Sequence, residues 1–137
     1  MARAYAELGA DRLDHLANTV ERYLAAPHYL WWLEPTSQGP RVGFGAALED
    51  PLGCLWLGQS INQMTGAPQV YVYLIYVAPT HRRRGLGRRL MQQAQAWASS
   101  QGYSQIGLQV FNHNQPALKL YRALGYRSQA SWMTLDL

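Results

Sequence analysis

A single cysteine, Cys54, excludes an intramolecular disulfide and any metal centre built from several cysteines. Lysine is almost missing too, since eleven of the twelve basic residues are Arg. Charged residues make up only 15% against 48% hydrophobic, a balance that excludes a disordered chain. No apolar run approaches the roughly 18–20 residues that a helix needs to span a bilayer, so no membrane partner is expected. Residues 1–15 carry Arg3, Glu7, Asp11, Arg12 and Asp14, which leaves no apolar stretch for a signal peptide. A reducing, cytoplasmic setting is the expectation. The chain of 137 residues suits one domain, 1–137, and shows no repeat, linker or low-complexity tract.

The net charge of +4 is local. Arg82, Arg83, Arg84, Arg88 and Arg89 supply five of the twelve basic residues, and without them seven positive charges face eight negative. One concentrated patch on an otherwise slightly acidic chain points to a small anionic partner. It argues against a nucleic-acid surface, as does the absence of aromatics interleaved with the cluster.

Apolar Leu13, Leu16, Val20, Tyr23 and Leu24 predict a helix over 11–26, stopped by Pro27. Residues 29–33, 42–48 and 54–61 read as strands, with a loop over 36–40 and a turn at Asp50-Pro51. Residues 69–77 are an unbroken β-prone run that suits a central strand covered on both faces. After Pro79, Leu86, Leu90, Met91, Ala94, Trp97 and Ala98 form a helical stripe ending near Gly102. Residues 105–110 alternate as a strand, and a helix follows Asn114 and Pro116 until Gly125. A final strand is expected over 126–135. The order predicts an α+β (mixed α/β) domain with helices packed on a sheet.

The segment Val77-Ala78-Pro79-Thr80-His81-Arg82-Arg83-Arg84-Gly85-Leu86-Gly87-Arg88-Arg89-Leu90 carries the chemistry. A strand runs into a glycine turn that opens a helix, whose first amides have no internal partners and sit at the positive end of the dipole. Gly85 and Gly87 allow tight bending and close approach of an oxyanion, so a pyrophosphate is the natural guest. A Rossmann fingerprint fails because its third glycine position is Leu90, and no P-loop Gly-Lys-Ser/Thr exists.

Arg82-x-x-Gly85-x-Gly87, preceded by Val77-Ala78-Pro79, resembles the R/Q-x-x-G-x-G/A signature of the GCN5-related N-acetyltransferase (GNAT) family. Asn114-Gln115-Pro116-Ala117-Leu118-Lys119-Leu120-Tyr121-Arg122-Ala123-Leu124-Gly125-Tyr126 is similar to that family's second helix motif, in the expected order. The resemblance covers roughly residues 70–127 and only loosely the N-terminal half. It implies a central mixed, mostly antiparallel sheet with splayed strands flanked by helices, and acetyl-CoA as cosubstrate with no metal. It also implies transfer of the acetyl group to a primary amine, on a small molecule or peptide, by direct attack in a ternary complex. Backbone groups of Tyr76, Val77 and Ala78 would meet the pantetheine arm, and amides of Arg82, Arg83, Arg84, Gly85, Leu86, Gly87 and Arg88 the pyrophosphate. Asn114 would touch the arm, Tyr121 the departing sulfur, and the strands ending at Val77 and Val110 would splay to admit it. A homodimer is compatible with this picture. A non-catalytic acyl-CoA-binding regulatory module is the alternative.

An alkyl amine of pKa near 10.4 is neutral only about once in 2,500 at pH 7, a penalty of roughly 4.6 kcal/mol. The strand 69–77 contains no acid, a departure from family members that use a Glu there. Glu34, Glu49, Asp50 and His28 remain as candidate bases, and Tyr71, Tyr73 or Tyr76 as groups that order water.

Overall fold

The computed structural model describes residues 6–7, 15–23, 28–44 and 50–137. Helix α1 (His15–Tyr23) is followed by strands β1 (His28–Glu34), β2 (Arg41–Phe44), β3 (Gly53–Ile61) and β4 (Pro68–Val77). Then come a 3-10 turn (Pro79–His81), helix α2 (Leu86–Ser100), β5 (Ile106–Leu108) and helix α3 (Gln115–Ala123). One sheet runs in the order β2-β1-β3-β4-β5. All neighbours are antiparallel except β4 and β5, which α2 connects in parallel. The mixed α+β sheet expected from the sequence is present.

The core lies between the sheet and α2. Leu86, Leu90, Met91, Ala94 and Ala98 recur on one side of α2 and meet Trp31 and Leu33 of β1, Leu55 and Leu57 of β3, and Val70 and Val72 of β4. The other sheet face carries an aromatic group: the His28 ring lies 5.5 Å from Trp56 and 5.6 Å from Tyr73, which in turn is 5.1 Å from Tyr71.

β4 is irregular at one place. Trp56 is registered with Leu74 but Leu57 with Val72, so Tyr73 is an extra residue. A one-residue bulge exchanges the faces of everything beyond it. Val70 and Val72 enter the core before the bulge, whereas Ile75 and Val77 pack on it afterwards. The unbroken apolar run in the sequence is therefore two half-strands of opposite parity.

Three expectations need correction or trimming. β5 spans Ile106–Leu108 instead of 105–110, because its partner β4 is registered with it only from Val70 to Val72. The final strand expected over 126–135 is absent: residues 126–137 form neither helix nor strand. Alternating apolarity supplies strand propensity, but a strand also needs a partner edge, and none is engaged here. The helix expected over 11–26 is seen as α1, with its remaining positions outside the described residues, as are 45–49 including Glu49.

At Gly53, where β3 starts, an added Cβ would lie 2.3 Å from the Tyr76 carbonyl oxygen and 3.2 Å from Leu33 Cδ1. A backbone oxygen in a strand cannot swing aside. Gly53→Ala is expected to destabilise the fold by about 1–3 kcal/mol, the usual range for overpacking. Chemical denaturation checks this, and an unchanged midpoint would contradict the close seating of β3 on β4.

Candidate active site

β4 and β5 part after the Val72–Leu108 pair, leaving Tyr73 to Val77 with no β5 residue registered opposite. The parting of these strands implied by the resemblance is thus present. A cleft of about 100 Å³ occupies the gap, lined among others by Tyr73, Ile75, Leu108, Val110, Asn114 and Tyr121.

Ala78 donates its amide to Leu52 O at 2.8 Å, toward β3, and Tyr76 is registered with Cys54 on the same side. Backbone groups alternate in direction along a strand, so Ile75 and Val77 turn theirs toward the gap. Of Tyr76, Val77 and Ala78, the backbone positions expected to face a ligand, only Val77 does, and Ile75 joins it. The bulge makes this shift invisible to residue counting.

Arg82 holds the end of β4. Its Nε donates to Val77 O at 2.8 Å, and its guanidinium is ion-paired with Glu7 and lies 5.6 Å from the centre of the Tyr76 ring. Tyr76 donates its hydroxyl to the other Glu7 oxygen at 3.0 Å. These side chains are partly exposed, so the pair contributes only about 0.2–1 kcal/mol and acts mainly by fixing position. No local signal in the sequence points to Glu7, because the contact closes 75 residues of chain.

Beyond Arg82 the backbone changes hand twice. Arg83 has φ 64° and Gly85 φ 74°, and α2 begins at Leu86. Alternating hand turns successive N–H groups into one concavity, beside the first turn of a helix. Glycine meets this demand at Gly85; Arg83 meets it at a cost of roughly 1–2 kcal/mol. Gly87 differs from the sequence reading: it is already helical, and a Cβ there would lie 3.4 Å from Leu120 Cδ2. Its role is the close approach of α2 to α3. The side chains of Arg83, Arg84 and Arg88 are exposed, while Arg89 donates to Pro40 O at 2.6 Å.

On α3, Asn114 Oδ1 accepts from the Ala117 amide at 3.3 Å, capping the helix. Tyr121 is buried against the core, and burial, reinforced by nearby Tyr126, pushes its phenol up to about 12.

The candidate bases lie apart from this cleft or are otherwise engaged. Glu34 Oε2 accepts from Arg41 Nη2 at 3.0 Å, and its carboxylate covers Gly43. Trp56 donates its indole N–H to His28 Nδ1 at 3.2 Å. The neutral ring therefore keeps its proton on Nε2, which leaves no lone pair for a base. Asp50 sits exposed in the turn with φ 51°. Burial raises the Cys54 thiol, which disfavours a nucleophilic thiolate. Among the described residues no group of three His, Cys, Asp or Glu side chains could hold a metal ion.

Comparison with known proteins agrees with the strand, turn and helix arrangement. The model of the Acetyltransferase (GNAT) family matches residues 5–126. Aminoglycoside N(6')-acetyltransferase type 1 of Serratia marcescens is 31% identical over 114 residues, covering 82% of this chain and 72% of its own. Streptothricin acetyltransferase of Streptomyces lavendulae is 44% identical over 52 residues, 38% of this chain, which spans only 28% of that protein's length. The solved structure of an aminoglycoside N-acetyltransferase in complex with CoA superposes with a TM-score of 0.61, covering 91% of this chain and 87% of the other. At 20% identity that likeness concerns the fold. By its family match and its full-length relative, this chain belongs to the GNAT acetyltransferase family.

Proposed function

We propose that this chain is an acetyl-CoA-dependent N-acetyltransferase whose amine acceptor, a small molecule or a peptide, attacks while both substrates are bound. The observation that carries this reading is the convergence on one gap of an anion-binding turn, turned-out strand backbone and the buried Tyr121. The amides of residues 83–88 suit the pyrophosphate, with the exposed Arg83, Arg84 and Arg88 adding charge. Ile75 and Val77 offer backbone groups to the pantetheine amides, and Asn114 keeps its side-chain nitrogen as a further donor. Acetyl-CoA supplies the thioester: the amine nitrogen bonds to the carbonyl carbon, the C–S bond breaks, and the electron pair leaves on sulfur. The acceptor's extra proton must be lost before attack, and the neutral fraction of the amine supplies the nucleophile.

Tyr121 steadies the departing sulfur. With its phenol at about 12 and a thiol near 8.5, full proton transfer is uphill by about 3.5 units, roughly 4.8 kcal/mol. Tyr121 therefore donates a hydrogen bond and keeps its proton. The same burial keeps it neutral throughout the pH range of amine chemistry.

Calorimetry is expected to show saturable binding of acetyl-CoA and CoA and none of NAD or ATP. Thiol release on adding amines then separates an enzyme from a binding module. Binding without release across an acceptor panel would support the module and overturn the transferase.

Gly85→Val places a β-branched residue at φ 74° with open space around it, so the damage is conformational and confined to the turn. CoA affinity is expected to fall roughly tenfold or more, in line with the cost of the left-handed conformation. Gly87→Ala meets only Leu120 and should leave affinity within about threefold, since helix position and not turn strain is involved. Equal losses in both variants would contradict the assignment of the turn to Gly85.

Tyr121→Phe is expected to lower kcat by roughly 10- to 100-fold while KM for acetyl-CoA stays within about threefold. The phenol is neutral below its raised pKa, so parent kcat should show no falling limb from this group between pH 8 and 10. A kcat within a factor of about three of the parent would leave Tyr121 a packing residue.

A further inference from the structure

The chain carries an unpaired strand edge and an unpaired strand-like segment, and the two fit each other. β5 is the last strand of the sheet, so its outer edge has no neighbour. Residues 102–110, which include β5, contain no charged residue and no proline, the devices that normally protect an edge. At the C-terminal side, Trp132, Met133, Leu135 and Leu137 are 81%, 89%, 83% and 116% exposed. Ser131, Met133, Leu135 and Leu137 alternate with Trp132, Thr134 and Asp136, the period of a half-buried strand. Asp136 is the one charged residue in 128–137. On β5, Ile106 and Leu108, continued by Val110, pack toward the core and define an apolar face that such a strand would extend.

Within one chain these parts do not meet: residues 126–137 form no strand, and β5 pairs with β4 alone. We propose that residues 127–137 of one copy pair with the open edge of β5 in a second copy, each copy donating its segment to the other. Reciprocal exchange satisfies both features at once and closes with two-fold symmetry, leaving no edge to propagate. The area is adequate. A buried aromatic removes roughly 150–250 Å² from water. Four large apolar side chains per copy, contributed twice, reach the approximately 1,000 Å² of a stable interface. The proposal is independent of the acetyl-transfer reading, although Leu108 and Val110 also line the cleft and a second strand would brace that wall.

Light scattering on the eluting full chain is expected to give a dimer. Met133→Lys with Leu135→Lys should weaken it roughly 100-fold or more through the loss of two apolar anchors, with an unchanged circular dichroism spectrum. A photoreactive amino acid in place of Trp132, in a mixture of isotopically light and heavy chains co-expressed together, locates the contact. Crosslinks joining light to heavy chains at residues 102–111 support the exchange. A monomeric parent, crosslinks confined to one chain, crosslinks to another protein in place of a second copy, or a dimer indifferent to the two lysines would each overturn it.

Discussion

After Val72 and Leu108 the two parallel strands stop pairing, although β4 continues to Val77. A sheet tolerates such an opening only if something reorients the backbone, and the extra residue Tyr73 does so. The bulge turns Ile75 and Val77 into the core with their side chains and into the gap with their backbone groups. Because β4 and β5 are parallel, the chain leaves both at the same end of the sheet. Helices α2 and α3 consequently start there, and the N-terminal amides of α2 lie beside the opening that α3 lines with Asn114 and Tyr121. Ligand binding at the carboxyl ends of parallel strands is a general outcome of this geometry.

The turn into α2 shows how little side-chain charge the arrangement needs. Arg82 is used to hold Val77 O and Glu7, and Arg89 to hold Pro40 O. What remains for an anion is backbone shape, set by the two left-handed residues Arg83 and Gly85, together with the exposed arginines. The cluster that dominates the charge of the chain thus divides between clamps and free cations.

Much of the architecture was legible because it rests on local pattern. The stripe Leu86, Leu90, Met91, Ala94 and Ala98 marks α2, and Asn114, Pro116 and Gly125 bracket α3. What escaped depends on distant partners. Tyr73 gives no sign of being a bulge, since its neighbours are all β-prone, and so the turned-out backbone was placed at Tyr76 and Ala78 as well as Val77. Glu7 meets Tyr76 and Arg82 across most of the chain, and the His28 tautomer depends on an indole from another strand. The last strand was read from alternation alone, which cannot tell whether an edge within the same chain is within reach.

Amide hydrogen exchange with and without CoA tests most directly whether the gap between β4 and β5 holds the cosubstrate. Slowed exchange is expected at Ile75, Val77 and residues 83–88, with little change at Trp31, Phe44 and Trp97, which border a separate apolar pocket between β1, β2 and α2. Protection confined to that second pocket, or none at Ile75 and Val77, would contradict the assignment.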